Sequence, residues 1–376
     1  MVVVWLQIFV QLVSVRAELV PDKSETIREI LAQVVVEGKA PGMVAAIISA
    51  DGVIASGAAG SRKAGNDQMM TTSDSVYLGS CTKAMTCAMI AILVGDGQLV
   101  WDMTLIEAIP ELKQEIRQEY HDLSLWQLLT HRAGVEDCWT FDTGLTKEKR
   151  LALVKKKLSA APVHKQGEFH YSNLGYVAAA CMAENVTGLL WETLMTERLF
   201  LPLGMTSVGF GFPGTRGQID QPWGHEKIGN GWHPSQVDCS PALGPAGTVH
   251  CAIADWAAFL SLFLTSQNPL LDPFLMARLV EPTGYYAGGW GVSTDQPWAN
   301  GKMLSHNGSN GTWYSSVVVA PELDRVYVVV TNSRDFGVTK GVCSGVITSL
   351  VRADSKWEAE VDGAADGFTS TKRLTH

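Results

Sequence analysis

The sequence predicts an α+β fold, in which one antiparallel sheet is flanked by helices from the two chain termini and interrupted by a mostly helical insertion. The first observation is that strand-like apolar runs concentrate in residues 43–60 and 288–331. The second is that residues 101–284 show short helical patterns broken by Pro and Gly, with little strand pattern. We therefore expect residues 18–100 and 285–352 to form an α/β sheet domain, and the residues between them a helical domain.

The first predicted element is an amphipathic helix over residues 22–38. Asp22 and Glu25 have the spacing of a helix-capping box, and apolar residues recur after them at helical intervals. Two strands are predicted at residues 43–50 and 53–60, because each is a β-type apolar run and an Asp-Gly turn separates them. This order predicts a helix packed on a hairpin.

Residues 80–97 are predicted to form a helix that is apolar nearly all round, which indicates a central position. A last helix is predicted over residues 338–351, and the polar residues 353–376 are expected to form a flexible tail. The strand pattern resumes before that helix in four segments: residues 288–293, 303–305, 314–320 and 326–331.

The composition excludes several classes of protein. The chain has 376 residues, of which 46% are hydrophobic and 18% charged, so most of it is expected to fold around a substantial core. With a formal net charge of −9 the chain offers no basic surface for phosphates, and we expect no nucleic-acid partner. After residue 17 no apolar run approaches the roughly 20 residues that span a bilayer, so no stable membrane span is expected.

Residues 1–17 have the pattern of a signal peptide, with an apolar stretch followed by small residues at Val15 and Ala17. No Lys or Arg precedes the apolar part, so a misplaced start or an interfacial helix stays open as an alternative. A signal peptide implies a secreted or periplasmic protein. The 7 cysteines are odd in number and form no C-x-x-C motif, which favours buried thiols and leaves one disulfide open.

Ser80 and Lys83 form the first candidate site, at the start of the apolar helix. Residues three apart lie on one face of a helix, so the Lys83 amine can reach the Ser80 hydroxyl. Burial and the helix macrodipole both disfavour the ammonium form and favour a neutral amine that can accept a proton. The spacing alone is weak, and the alternative is a solvated lysine, which the apolar surroundings disfavour.

Tyr171 and Asn173 form a second candidate, in front of an apolar run. A neighbouring ammonium lowers the pKa of a tyrosine, which predicts a phenolate at Tyr171 that serves as a general base. The Asn173 amide offers a donor and an acceptor, to hold a substrate amide or to bridge to Lys83. The alternative for Tyr171 is a packed ring whose hydroxyl bonds to a loop.

His306, Gly308 and Ser309 form a third candidate, at the end of a predicted strand. A glycine permits close backbone approach, so the Ser309 N–H can pair with the Ser80 N–H as an oxyanion hole. Taken alone, His306 fits a loop histidine. The sequence contains no G-x-S-x-G elbow, no H-E-x-x-H motif and no close His/Cys cluster, and we expect neither a metal nor an organic cofactor.

The three candidates occur in one order together with other matching segments. These segments are residues 76–83, 97–112, 128–134, 171–176, 201–205, 244–255 and 306–308. Over about residues 22–350 the chain resembles the serine β-lactamase-like family, which contains class C β-lactamases, penicillin-binding D,D-carboxypeptidases, D-aminopeptidases and family VIII-type carboxylesterases. The resemblance implies a β-lactamase/transpeptidase-like fold.

The resemblance also implies roles for the candidate residues. Ser80 would be the nucleophile, with Lys83 and Tyr171 sharing the general-base work. Asn173 would contact substrate, and the amides of Ser80 and Ser309 would form the oxyanion hole.

One departure from the family bears on the substrate. His306 stands where β-lactamases and carboxypeptidases usually carry the Lys of Lys-Thr-Gly, and next to Gly308 it would line the substrate site. An imidazole is mostly uncharged at neutral pH and anchors a carboxylate weakly, which favours ester cleavage. His131 also matches the family, and we assign it a structural role as a satisfied core histidine. The tryptophans near this segment either line an acyl pocket or pack in the core: Trp290, Trp298 and Trp313.

We expect a serine hydrolase that forms a covalent acyl-enzyme on Ser80, foremost a carboxylesterase acting on a small-molecule ester. The alternatives are a β-lactamase, a D-amino-acid peptidase or D,D-carboxypeptidase with a β-lactam or peptide substrate, and an acyltransferase. A non-catalytic acyl-binding or scaffold protein of the same fold is the alternative outside enzymes. The sequence leaves the acyl group, the leaving group and the oligomeric state open.

Overall fold

The computed structural model describes residues 22–139, 147–265 and 270–370, with side chains described up to residue 356. The expected signal peptide at residues 1–17 lies outside the described residues. The strands are β1 Gly42–Ser49, β2 Gly52–Gly60, β3 Val76–Tyr77, β4 Gly209–Phe210, β5 Gly224–Ile228, β6 Gly231–Ser235, β7 Val249–Cys251, β8 Gly291–Gln296, β9 Gly301–Ser309, β10 Tyr314–Ala320 and β11 Arg325–Thr331. The helices are α1 Lys23–Val36, α2 Thr82–Gly95, α3 Leu105–Ala108, α4 Leu125–Leu129, α5 Lys147–Leu158, α6 Asn173–Thr187, α7 Trp191–Leu194, α8 Gly244–Gly247, α9 Ile253–Leu260, α10 Pro273–Val280 and α11 Thr339–Ser370.

The main sheet has six antiparallel strands in the order β2-β1-β11-β10-β9-β8. Two strands from the N-terminal part of the chain therefore join four from the C-terminal part, and the segment between β2 and β8 supplies most of the helices. This arrangement confirms the predicted α+β fold class, with an antiparallel sheet and a mostly helical insertion.

Both faces of the sheet are covered. Along β1, Val44 and Ala46 face the core beneath the helical region, whereas Met43 and Ala45 face α1 and α11. Because apolar groups lie on both sides, β1 is buried almost throughout and shows no polar alternation. At the start of α1, Asp22 accepts a hydrogen bond from the Ser24 amide and caps the helix.

Helix α2 lies at the centre of the helical side. All its residues from Thr82 to Leu93 are buried, and α6, α8 and α10 contact it. A helix that is apolar on all sides is stable only when other elements surround it. The predicted central position is therefore confirmed.

Two parts of the chain differ from the sequence prediction. The first is a small sheet in the order β3-β7-β4 with a separate β5-β6 hairpin, most of which falls in the region predicted to be helical. Strands β3, β4 and β7 have only two or three residues and are too short to show a periodic pattern, whereas β5 and β6 are partly exposed strands of five residues each. The second is α11, which continues past residue 351 to Ser370, where the sequence predicts a flexible tail. Asp354 in this continuation is buried and accepts a hydrogen bond from the Tyr327 hydroxyl at 2.9 Å, so the helix still packs on the sheet there.

All seven cysteines are buried free thiols, which confirms their interpretation as small apolar residues. Burial raises the pKa of Cys87 and of Cys343 to about 12, so both stay protonated at neutral pH. Among the helices that the structure describes, none has both the length and the apolar content needed to cross a membrane.

Candidate active site

Ser80 lies at the entrance to α2, on a 3₁₀ turn formed by Gly79–Cys81. Lys83 follows three residues later, and its Nζ atom is 3.1 Å from Ser80 Oγ, as the spacing predicts. The turn depends on Gly79, because φ is +52° there and a Cβ atom would lie 3.0 Å from the Cα of Gly308. The local backbone thus holds the serine against the end of β9.

Lys83 is fully buried, and its amine is held by three partners. Besides the contact with Ser80, Nζ donates to Asn173 Oδ1 at 2.8 Å and to the Ala246 carbonyl oxygen at 2.7 Å. Burial lowers the pKa of Lys83 to about 7, and the negative charge of Asp137 opposes this shift. The neutral amine expected from the sequence is therefore accessible near pH 7, and the alternative of a solvated lysine is wrong.

Tyr171 contacts the same serine oxygen. Its hydroxyl donates to Ser80 Oγ at 2.9 Å, and its ring packs on His131 with 4.3 Å between the ring centroids. The residue is 36% exposed, and its hydroxyl is turned towards Ser80. Desolvation raises the pKa of Tyr171, and the hydrogen bond with Ser80 opposes the shift only in part. The predicted phenolate is therefore wrong, because burial outweighs any effect of a nearby ammonium.

Asn173 is the first residue of α6, and the preceding Ser172 caps that helix by accepting a hydrogen bond from the Gly175 amide. The Asn173 N–H donates to Asp137 Oδ1 at 2.7 Å, which fixes the backbone end of the residue. Its side chain then reaches Lys83. The contact predicted between Asn173 and Lys83 is confirmed.

His131 lies behind Tyr171 and is buried. Its Nδ1 atom accepts a hydrogen bond from the Ser172 N–H at 3.1 Å, which assigns the proton to Nε2. Among the described residues Nε2 has no hydrogen-bond partner. Burial lowers the pKa of His131 well below its usual value, so the ring is neutral. The prediction of a satisfied core histidine is thus confirmed for the burial of His131 and for the hydrogen bond of Nδ1. It is not confirmed for Nε2, which has no partner among the described residues.

The backbone of Gly308 and Ser309 lies directly against that of Ser80. A Cβ atom at Gly308 would come within 2.8 Å of the Ser80 amide nitrogen and would collide with the carbonyl oxygen of Leu78. This is the close approach for which the sequence predicts a glycine. The amide nitrogen of Ser309 is also the atom nearest to a Cβ atom built at Gly79, the residue directly before Ser80. The amides of Ser80 and Ser309, which are proposed to form an oxyanion hole, are therefore neighbours.

The structure places His306 behind the site. The residue is 9% exposed, its Nδ1 donates to the Asn307 carbonyl oxygen at 2.7 Å, and its Nε2 accepts from the Tyr286 hydroxyl at 3.1 Å. Burial, together with the charge of Lys83, lowers the pKa of His306 to about 3, so the ring carries no charge at neutral pH. Because both ring nitrogens have protein partners, the expected contact between His306 and a substrate is not formed by this arrangement.

The pocket beside Ser80 is small and largely apolar. Its volume is about 10 Å³, which holds one water-sized group. Trp139, Cys239 and Leu243 contribute its walls, and Trp139 is 53% exposed at its edge. The tryptophans considered for an acyl pocket lie elsewhere: Trp290 and Trp313 are core residues, and Trp298 borders a cavity on the other face of the sheet.

Several residues at the site had no recognisable pattern in the sequence. Arg334 donates from its guanidinium to Ser309 Oγ at 3.1 Å and forms no ion pair with any described residue. Asp137, Trp139 and the carbonyl of Ala246 also reach the site, and the tertiary fold alone brings them there. Within the described ranges, no group of three or more His, Cys, Asp or Glu is placed to hold a metal ion.

A family model described as Beta-lactamase matches residues 26–350. Among curated proteins, the chain is similar to Penicillin-binding protein 4 of Amycolatopsis lactamdurans, with 24% identity over 336 residues that cover 84% of this chain and 85% of that protein. Other curated relatives are 23% identical, and this chain spans about half of their length, 52%.

Solved structures show the same architecture. The D-amino acid amidase from Ochrobactrum anthropi superposes with a TM-score of 0.74 at 20% identity, over 89% of this chain and 99% of that one. EstCE1, a hydrolase with promiscuous acyltransferase activity, superposes with a TM-score of 0.73 at 17% identity, over 88% of this chain and 98% of that one. At such identities the likeness establishes a shared fold.

Proposed function

The chain belongs to the beta-lactamase family, whose members are typically serine hydrolases, and from this premise we propose that it cleaves carboxylic esters through an acyl-enzyme on Ser80. One observation carries the proposal. The Lys83 amine and the Tyr171 hydroxyl lie 3.1 Å and 2.9 Å from the same serine oxygen. A hydroxyl in contact with two proton-handling groups beside a pocket has the arrangement of an activated nucleophile.

The hydrogen bonds of Lys83 support its role as the base. A neutral amine has two N–H donors, and the oxygens of Asn173 and Ala246 can only accept, so they use both donors. The nitrogen lone pair is then free for the Ser80 hydroxyl. Lys83 takes the serine proton as Ser80 Oγ bonds to the carbonyl carbon.

Tyr171 has the complementary role of an acid. Because its pKa is raised, the phenol keeps its proton and can donate it to the leaving oxygen when the tetrahedral intermediate collapses. The Lys83 ammonium then returns a proton to the phenolate. The amides of Ser80 and Ser309 stabilise the negative charge on the carbonyl oxygen, and water releases the acid in a second round with the same groups.

The surroundings of Ser80 favour a neutral ester with a small acyl group. The pocket is narrow and apolar, and the position where relatives with carboxylate-bearing substrates carry a lysine holds the uncharged, buried His306. A cation is therefore missing at that position of the site.

Arg334 favours a second candidate, the cleavage of a β-lactam or a D-amino-acid amide that bears a carboxylate. Its guanidinium is beside Ser309 and has no carboxylate partner among the described residues. A forked cation of this kind binds a carboxylate through two hydrogen bonds. The similarity to a penicillin-binding protein and to the fold of a D-amino acid amidase is consistent with this candidate.

The experiment compares the wild-type chain with Ser80→Ala on p-nitrophenyl acetate, a chromogenic cephalosporin and a D-alanyl-D-alanine peptide. We expect the acetate ester to be cleaved fastest, with turnover lost in Ser80→Ala while circular dichroism shows an intact fold. A fluorophosphonate should label Ser80 alone. Undiminished turnover by Ser80→Ala would overturn the proposal, and a preference for the cephalosporin would put the second candidate first.

The same assay separates hydrolysis from acyl transfer. Added alcohols compete with water for the acyl-enzyme, and the fraction of new ester among the products measures transfer. A chain that is labelled by the fluorophosphonate but turns over no substrate would be a binding or scaffold protein.

We also propose that the protein is exported, because of the apolar pattern in residues 1–17. Mass spectrometry of protein recovered from outside the producing cell tests this, and a mass that lacks those residues is the expected result. Protein retained in full length inside the cell would contradict it.

A further inference from the structure

A second cavity lies on the face of the main sheet that is remote from Ser80. Its volume is about 540 Å³, and it lies between strands β9 and β10 on one side and helix α11 on the other, with one side open to solvent. Cavities that hold small ligands have volumes in this range. Neither the catalytic groups nor the pocket beside Ser80 contributes to it.

The sheet side of this cavity is polar at its centre. Ser316 pairs with Asn307 in the antiparallel register, and Val318 pairs with Ser305. Because side chains alternate between the two faces of a strand, Ser305 and Asn307 on β9 lie on the face opposite His306, and their β10 partners lie on that same face. Ser316 is only 6% exposed, and its hydroxyl lines the cavity without a hydrogen-bond partner among the described residues. A hydroxyl that lines a cavity and has no protein partner is one to which a ligand can hydrogen-bond.

The helix side presents one stripe of α11. Ser344, Ile347, Thr348, Val351 and Arg352 follow one another at the intervals that place residues on one helical face. The stripe therefore contains both hydroxyl-bearing and apolar residues and ends in a cation.

Charge selects the kind of ligand. Arg352 is exposed, forms no ion pair with any described residue and is the only charged residue in the lining of the described cavity. The apolar part of the lining is formed by Trp298, Met303 and Val318 together with the apolar residues of α11. A lining that combines an apolar wall with one cation and several hydroxyls fits a molecule with an apolar body and one negative group.

We propose that this cavity binds an aliphatic monocarboxylate of medium chain length, with its hydrocarbon body against Trp298 and Val318 and its carboxylate at Arg352. Ser316 and Asn307 supply further polar groups on the sheet side of the same cavity. This binding does not depend on Ser80 or on the proposed hydrolysis.

The test is calorimetric titration of the full chain carrying Ser80→Ala with sodium octanoate, with octan-1-ol and octylammonium chloride as neutral and cationic analogues. We expect saturable binding of one octanoate per chain and weaker binding of both analogues. Arg352→Gln should raise the octanoate Kd about fivefold or more, since a charged hydrogen bond is lost. Lys356→Gln is the matched control, an exposed cation further along α11 that is not part of the cavity, and it should leave Kd unchanged.

Two substitutions that fill the cavity from opposite sides show whether a loss of octanoate binding is due to the filled cavity or to misfolding. Val318→Trp fills it from the sheet, and Ser344→Phe fills it from the exposed side of α11; both should abolish binding, with thermal unfolding showing which variant stays folded. Three outcomes would overturn the proposal: no saturable binding, equal effects of Arg352→Gln and Lys356→Gln, or unchanged binding in a folded cavity-filling variant.

Discussion

The hydroxyl of Tyr171 donates a hydrogen bond to Ser80 Oγ at 2.9 Å, although the two residues are 91 positions apart in the chain. Ser80 enters α2 and Tyr171 precedes α6, so the packing of these two helices sets the distance. Within the same contact, Lys83 has a lowered pKa and Tyr171 a raised one. These opposite shifts support the proposed roles of Lys83 as the base and Tyr171 as the acid.

The pH dependence follows from the base. Because only neutral Lys83 accepts a proton, and its pKa is lowered to about 7, kcat/KM on p-nitrophenyl acetate should rise about tenfold per pH unit below 7 and level off above it. The raised pKa of Tyr171 predicts no decline up to about pH 9. Initial rates between pH 5 and 9 check this. A rate that is flat from pH 5 to 8 would contradict the role of Lys83.

Removing the phenol hydroxyl should slow acylation while leaving the fold unchanged. We expect Tyr171→Phe to lower kcat/KM on p-nitrophenyl acetate about 10²- to 10³-fold, the usual range for a positioned proton donor. Tyr285→Phe is the control, since Tyr285 is 58% exposed and packs on Phe169 without a contact to Ser80. Equal losses in both variants would mean that the hydroxyl of Tyr171 has no special role.

The close contact between the backbones of Gly308 and Ser80 predicts that a Cβ atom added at Gly308 reduces activity. In Gly308→Ala the new Cβ would displace the Ser80 amide and separate the two amides of the oxyanion hole, so we expect kcat to fall at least about 10²-fold. Gly341→Ala in α11 is the control, because its Cβ meets no atom within 4 Å. That variant should keep full activity and gain up to about 1 kcal/mol in free energy of unfolding. Full activity in Gly308→Ala would exclude the proposed oxyanion hole.

Trp139 is expected to limit the length of the acyl group. Its ring borders a pocket of about 10 Å³, so Trp139→Ala should raise kcat/KM for p-nitrophenyl hexanoate relative to the acetate. The ratio of kcat/KM for the hexanoate to kcat/KM for the acetate should increase about tenfold for every ~1.4 kcal/mol of additional binding free energy of the longer acyl chain. Trp298→Ala alters a tryptophan on the other face of the sheet and should leave the ratio unchanged. A ratio that stays at the wild-type value in Trp139→Ala would show that the acyl group binds elsewhere.

The sequence predicts those parts of the site that depend on local spacing. Ser80 and Lys83 are three residues apart on one helix, and their contact follows from helical geometry. Tyr171 and Asn173 are recognisable as candidates from their residue types and from the order of motifs, and the fold brings both to Lys83 or Ser80. The six-stranded sheet follows in the same way from apolar runs of normal strand length.

Features that depend on burial or on contacts between distant loops could not be predicted. The direction of the Tyr171 pKa shift reverses because of desolvation, which a sequence does not display. The motif around His306 predicts a position at the substrate site, but Tyr286 binds the ring from an adjoining segment and holds it in the interior. The continuation of α11 past residue 351 is not predictable, because it depends on long-range contacts of one buried residue, Asp354, with Tyr327 and Arg325 on β11.

Strand β11 is inserted between β1 and β10, so the middle of the sheet is filled by the strand that comes last in the described sequence. During translation the edge of β1 that pairs with β11 therefore stays unpaired while the helical insertion and strands β8, β9 and β10 are synthesised. The main sheet can therefore be completed only after β11 has been synthesised, and a chain cut short before Arg325 would present that unpaired edge to neighbouring chains as a template for aggregation.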